Sequence, residues 1–192
     1  MFEELSLHIL DIAMNSITAQ ASVVQITIAE HARRDKLSIR IQDNGRGMDA
    51  DTLKRVLANP TTTKHSRRKN IGLGLALLRQ TAEMCDGQFE VRSTPGMGTT
   101  VTASMRLLHV DLPPLGDLNA TILALCAANP AVDVRLDYLT DTDRFHFSSK
   151  ELAEKKASSR PKKFWSGEEK TNYEPRRTQK VERESAAAGC LA

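Results

Sequence analysis

Apolar side chains along the first fifty residues change period once, from helical to alternating. Between residues 3 and 19, Leu5, Ile9 and Ile12 form one stripe at helical spacing, and Leu7, Leu10, Met14 and Ile17 form a second beside it. Two adjoining stripes predict a helix buried over most of its surface. Asp11 and Asn15 lie one turn apart on that helix and so share a face. From Val24 the period falls to two. Val24, Ile26 and Ile28 alternate with Gln25 and Thr27, then Leu37, Ile39 and Ile41 alternate with Ser38, Arg40 and Gln42. The polar run from His31 to Lys36 predicts the turn between two strands. The resulting hairpin delivers Asp43-Asn44-Gly45-Arg46-Gly47 at the end of its second strand.

A short helix is expected over about Asp49 to Leu57, with Asp49 as its N-cap. Beyond Pro60 the chain is polar and basic through Thr61, Thr62, Thr63, Lys64, His65, Arg67, Arg68 and Lys69, a surface loop too long for a simple turn. Gly72 to Asp86 reads as a helix opened by two glycines and stopped at Gly87. Phe89 and Val91, then Val101, Ala103, Met105 and Leu107, alternate with polar residues across a turn at Pro95-Gly96-Met97-Gly98. Strands with one apolar face, covered by helices on that side, make an α+β fold, a two-layer α/β sandwich. From Pro113 the pattern restarts, with a helix over about 117–128 and strands over 132–139 and 144–147, a small βαβ-type C-terminal extension. The expected organisation is a domain over 1–110, the extension over 111–150 and a tail over 151–192. The tail is rich in Lys, Arg, Glu, Ser and Ala, too poor in apolar residues to offset the entropy of ordering, and is expected to be disordered. Its lone Trp165, beside Phe164 and Lys163, reads either as an incidental exposed aromatic or as an anchor for a partner.

Charge changes the picture only by exclusion. Of the net +3, all lies in residues 151–192, which hold ten Lys/Arg against seven Asp/Glu. The remainder carries seventeen of each sign and so lacks the excess that a basic nucleic-acid groove requires. Cys85, Cys126 and Cys190 are widely spaced with no C-x-x-C pair, which argues against a disulfide framework or a zinc site. The N-terminus lacks a signal-peptide pattern, and no apolar run approaches the ~18 residues needed to span a bilayer. The expectation is a cytoplasmic protein.

Three motifs carry candidate chemistry. Asp43-x-Gly45-x-Gly47 at a strand end places a fixed carboxylate where it can accept from an exocyclic amine such as the adenine N6, with glycines that let backbone approach a flat base. Alone, Asp-Asn-Gly is also an ordinary turn. Gly72-Leu73-Gly74-Leu75 at a helix start offers unpaired N–H groups and the positive end of the helix dipole to phosphate oxygens. Alone, it also reads as a tight packing site. Asn15 can offer an oxygen to magnesium, and Asp11 can orient or deprotonate a water. Alone, the two also read as a buried polar pair capping a loop.

In combination, Asp11-x-x-x-Asn15-Ser16, Asp43-x-Gly45-x-Gly47 and Gly72-Leu73-Gly74-Leu75 resemble the nucleotide-binding boxes of the GHKL superfamily of gyrase, Hsp90, histidine kinases and MutL. The resemblance spans about residues 3–107 and implies the Bergerat fold. Asn15-Ser16-Ile17-x-Ala19-x-Ala21 and Asp43-Asn44-Gly45-x-Gly47-Met48 look most like MutL. Gly72 to Thr100 looks like a histidine kinase catalytic domain. The resemblance implies ATP and magnesium as cofactors, with Asn15 holding the metal and Asp43 taking the adenine amine. Gly45, Gly47 and Met48 would shape the adenine pocket, Gly72, Leu73 and Gly74 would lie against the phosphates, and Thr99 would support adenine through water. The loop from Met48 to Ile71 would be the ATP lid, with Lys64 and Arg67 or Arg68 as phosphate contacts.

Two departures from the family pattern bear on activity. Hydrolysing members and anti-sigma kinases carry glutamate where this chain has Asp11, one methylene shorter, and a general base must lie within hydrogen-bond reach of its proton. Only a few residues precede the first helix, so the phosphoacceptor is expected on a separate protein; His8 reads as a structural or pocket-edge histidine. Three readings follow: a regulatory protein that phosphorylates a protein partner in the manner of anti-sigma kinases, a weak ATPase working as a conformational switch, or a non-catalytic ATP sensor.

Overall fold

The computed structural model describes residues 4–58 and 73–158. A helix α1 (Leu5–Thr18) leads into the hairpin β1 (Val23–His31) and β2 (Lys36–Asp43), followed by α2 (Ala50–Ala58) and α3 (Leu73–Met84). A second hairpin, β3 (Gln88–Thr94) and β4 (Gly98–Met105), precedes α4 (Leu118–Ala128), β5 (Asp133–Leu139), β6 (Arg144–Ser148) and α5 (Ser149–Ser158). The strands form one mixed sheet in the order β3-β4-β2-β1-β5-β6. All neighbours are antiparallel except β1 and β5, so β4 and β5 run the same way and α4 is the crossover between them.

The alternation read from the sequence sets the two faces of the sheet. Val24, Ile26, Ile28, Leu37, Ile39, Ile41, Val101, Ala103 and Met105 are buried, and they meet Leu5, Ile9 and Ile12 of α1 and Leu78 of α3 in one core. Each Val, Leu, Ile or Met side chain among them contributes about 1.5–3 kcal/mol on burial. The second stripe of α1 behaves differently from expectation. Leu10 and Ile17 are partly buried, but Leu7 and Met14 remain 47% and 41% exposed, because α1 packs on the sheet between α3 and α4 and its outer face meets neither.

Both ends of α1 are held by tertiary contacts. No side chain caps its start; instead Leu5 and Ser6 donate their N–H groups to the carbonyls of Pro114 and Leu115 at 3.0 and 2.8 Å. Its last turn closes at Gln20, which adopts a left-handed backbone with φ of 65°. Asp49 caps α2 as expected, its carboxylate accepting from the Thr52 N–H at 2.7 Å. At the end of α3 the left-handed residue is Asp86, φ 54°, rather than Gly87. Glycine at 87 answers a different need: a Cβ there would lie 1.7 Å from the Ser104 carbonyl oxygen of β4.

The β1–β2 turn is tied to the end of β4. The Asp35 carboxylate accepts from the Leu108 N–H at 2.7 Å and from Arg106 Nε at 2.8 Å, and these two groups hold its pKa below the ordinary range. Beyond β6, α5 runs through Ser158, so the first residues of the segment expected as a disordered tail are helical. The rest of that segment, with Phe164 and Trp165, lies outside the described residues.

Candidate functional site

The site forms where β2 ends against the last turns of α1. Strand alternation turns Asp43 toward the helical layer, and the residue is only 8% exposed. A carboxylate at that depth requires hydrogen bonds. Asp43 Oδ1 accepts from the Gly45 N–H at 2.8 Å and from the Thr99 N–H at 3.2 Å, while Oδ2 accepts from the Ser16 hydroxyl at 2.8 Å. A carboxylate has about four acceptor positions. Three are filled by protein, which leaves one, on Oδ2, for a donor entering the pocket.

The pocket beside this carboxylate is walled by Ile12, Asn15, Ser16, Thr18 and Ala19 of α1 and its end. Asp43, Arg46, Gly47, Met48 and Val56 form a second wall, and Leu75, Thr99 and Val101 complete it. Asp43 is the one carboxylate of a lining that mixes apolar Ile12, Val56, Leu75 and Val101 with polar Asn15, Thr18, Arg46 and Thr99, a combination that suits a flat ring carrying an exocyclic amine. Asn15 is half-buried at the pocket wall and its amide makes no hydrogen bond among the described residues, so its oxygen is available to a ligand.

Glycines permit three close approaches here. Gly47 has φ of +64°, and a Cβ on it would fall 1.9 Å from the Thr94 carbonyl oxygen. Gly98, φ +97°, would bring a Cβ within 2.0 Å of the Asp43 carbonyl oxygen. A Cβ on Gly45 would meet the Ala19 carbonyl oxygen at 2.8 Å. Gly45 thus packs against the end of α1 while its N–H orients Asp43. Met48 is anchored by its N–H, which donates to Ser93 Oγ at 2.9 Å, and that hydroxyl also meets Thr99 Oγ1.

Of the residues singled out from sequence, Asn15, Asp43, Gly47, Met48 and Thr99 line this one pocket. Asp11 and Gly74 come together beside it, where α1 crosses the start of α3. A Cβ on Gly74 would be 2.6 Å from the Cβ of Asp11, so Gly74 is the gap into which Asp11 fits. Asp11 is exposed, and its carboxylate has no protein partner among the described residues. Lys64, Arg67, Arg68 and Gly72 lie outside the described residues, as does the side chain of Leu73. Arg46, which lines the pocket, and Ser16, which fixes the orientation of the Asp43 carboxylate, have no role in the motifs read from the sequence. The available signal for Ser16 was its place on the sheet-facing side of α1, one residue past Asn15.

Asn44 braces the same corner. Its Oδ1 accepts from the N–H groups of Ser22 and Val23, both at 2.9 Å, and its Nδ2 donates to Ser22 Oγ at 2.9 Å. Asp43 and Asn44 thereby divide the labour, one facing the pocket and one locking the entry to β1. A larger cavity, about 770 Å³, opens on the far side of α4. Its one buried carboxylate, Asp133, is already engaged by Ser148, Arg135 and the Lys150 N–H. Asp133 is moreover ion-paired with Arg135, whereas Asp43 has no cationic partner among the described residues, and the residues singled out from the sequence gather in the smaller pocket.

Residues 2–109 match the family model of the histidine kinase-, DNA gyrase B-, and HSP90-like ATPases. The chain belongs to that family. Among curated relatives of this ATPase domain, sensor histidine kinase ZraS of Escherichia coli is 32% identical over 102 residues, covering 52% of this chain and 21% of its own. Sensor protein kinase FleS of Pseudomonas aeruginosa is 36% identical over 100 residues, 52% of this chain and 24% of its own. The non-motile and phage-resistance protein of Caulobacter vibrioides is 32% identical over 111 residues, 54% of this chain and 13% of its own. The chain thus spans a quarter or less of these relatives. A solved structure of the Aquifex aeolicus MutL ATPase domain complexed with ADP is 16% identical, with a TM-score of 0.49, covering 84% of this chain and 72% of that one.

The chain is accordingly an ATP-binding, histidine kinase-like domain. Among the described residues, no helix is long and apolar enough to cross a membrane.

Proposed function

We propose that this ATP-binding domain holds ATP with magnesium and acts on a separate protein, passing it the γ-phosphoryl group. The observation that carries the first half is Asp43, a buried carboxylate with three acceptor positions filled and one open toward the pocket. Asn15 would hold the magnesium, since its amide oxygen lacks a protein partner among the described residues and that metal favours oxygen ligands. Magnesium would neutralise charge on the phosphates. Gly72, Leu73 and Gly74 would bring the start of α3 against them, Lys64 would add a cation, and Thr99 and Met48 would complete the adenine side. The kinase names of ZraS and FleS support the transfer reading.

Asn15→Ala is expected to leave weak adenine recognition while removing the dependence of ATP affinity on magnesium. Calorimetric titration of ATP with and without magnesium measures this; a variant whose affinity still rises with magnesium would strike Asn15 from the metal site.

Asp11 would orient or deprotonate the acceptor group. A second reading, a sensor that binds ATP without spending it, is favoured by the length of this side chain and by its place beside the pocket rather than in its lining. The two differ in what Asp11→Glu does. If reach limits chemistry, the added methylene raises phosphate release about tenfold or more, a modest part of the 10²–10⁴ a positioned base supplies. A flat rate with unchanged ATP affinity favours the sensor. Incubating the protein with γ-labelled ATP and extract of its own cells tests transfer itself: label on a protein supports the kinase, free phosphate supports an ATPase switch, and neither supports the sensor.

A further inference from the structure

The cavity beyond α4 is a groove with a built floor and two helical walls. Leu123, Cys126 and Ala127 of α4 form one wall, Leu152 and Ala153 of α5 the other, and Phe147 lies between them. The sequence of α4 makes this face unusual. From Leu118 to Val132 no residue carries a charge, and within α4 only Asn119 and Thr121 are polar, so the helix is apolar over most of its surface, close to the composition of a covered helix. In the structure only part of it is covered. Ile122 and Leu125 are buried against the sheet, whereas Leu123 is 57% exposed and Ala124 and Ala127 are also open. An apolar wall at i, i+3 and i+4, facing a second wall across a sheet floor, has the form of a helix-accepting groove.

Charge at one end of the groove selects the occupant. Asp133 is neutralised by Arg135, whose Nε lies 2.7 Å from it, and its other contacts are internal. The Lys150 ammonium, exposed at the start of α5, has no ion-pair partner among the described residues, and the positive end of the α5 dipole lies beside it. The groove therefore carries one net positive charge at that end and none along its apolar length.

The floor is also joined to the nucleotide corner. Ser22 and Val23 line the groove and are the two residues that Asn44 clamps, and the Ser22 carbonyl accepts from the Asp133 N–H at 2.9 Å. A partner seated here lies one clamped residue pair away from Asp43.

We infer that the groove between α4 and α5 docks an amphipathic helix of the protein partner, one presenting aliphatic anchors to Leu123 and Phe147 and a carboxylate to Lys150. The inference rests on the partner-directed part of the proposed function and is independent of whether phosphate is transferred. Leu123 serves as the apolar contact and Lys150 as the charge that sets polarity; neither lines the ATP pocket.

Two synthetic helical peptides test this on the full chain. Both carry leucine at i, i+3, i+4 and i+7; one has glutamates on its polar face and the other lysines. The glutamate peptide is expected to bind at least tenfold more tightly than the lysine peptide. Leu123→Glu is expected to weaken it at least tenfold, and Lys150→Glu to reverse the order of the two peptides. ATP affinity, measured on the same samples, stays unchanged in both variants. Loss of ATP binding in the unsubstituted chain would indict the functional reading, whereas intact ATP binding with no peptide preference overturns the groove alone. Sedimentation showing a dimer that Leu123→Glu disperses would make the occupant a second copy, and that too overturns the inference.

Discussion

Asp43→Asn is expected to lower ATP affinity about a hundredfold or more while leaving the fold in place. The amide oxygen can still accept from Gly45 and Thr99, the bonds now made by Oδ1. That places the amide NH₂ where Oδ2 was, directed at Ser16 and the pocket. The Ser16 hydroxyl can rotate to accept, so the protein side is satisfied. The adenine amine, a donor, then faces another donor. Losing a hydrogen bond to a charged acceptor and gaining an unsatisfied polar contact costs about 3 kcal/mol, or about two decades in Kd. Titration calorimetry, with a thermal melt to show that folding is intact, measures it. An affinity within threefold of the parent would remove Asp43 from adenine recognition.

Gly98→Ala is expected to destabilise the protein by roughly 3 kcal/mol or more, far beyond the effect of Gly96→Ala two residues away. Both glycines have positive φ, +97° and +74°, and a side chain at either meets the ordinary penalty of about 1–2 kcal/mol for a left-handed backbone. The difference is what surrounds them. Nothing lies within 4 Å of a Cβ on Gly96, whereas a Cβ on Gly98 would sit 2.0 Å from the Asp43 carbonyl oxygen and 2.9 Å from the Asn44 Cα. To accommodate it, β4 must separate from the end of β2, which carries Asp43. Chemical denaturation of the two variants should therefore give unequal losses, and ATP affinity should fall only in Gly98→Ala. Equal destabilisation would mean that the contact relaxes at no cost and that backbone conformation alone accounts for both glycines.

The elements were legible because strand and helix periods differ and because the core is nearly all aliphatic. Alternation from Val24 to Ile41 specified both faces of the first hairpin, and Asp49 marked the start of α2 as its cap. That Asn15, Asp43, Gly47, Met48 and Thr99 would meet in one pocket was legible for a related reason. A buried carboxylate followed by glycines at two-residue spacing leaves few structural uses, and three motifs in the right order on the right elements leave fewer. The roles of particular glycines were less readable. Gly74, read as a phosphate approach, is also the gap for Asp11, and Gly87, read as a helix stop, makes room for Ser104 of β4. A glycine in a sequence announces that something comes close without naming it.

By itself the sequence determined the type of each element, the polarity of its faces and the identity of the chemical groups, because these depend on neighbours within a few residues. Tertiary structure decided what no local period encodes. It closed α1 with the carbonyls of Pro114 and Leu115, more than a hundred residues away, and set Ser16 against Asp43 across 27 positions. It joined β5 and β6 to the sheet of the nucleotide domain through β1. It left Leu7, Met14 and Leu123 open, although periodicity and composition would bury them. Burial is a property of what packs on a face. The sequence specifies the face, and only the assembled sheet and helices specify what covers it.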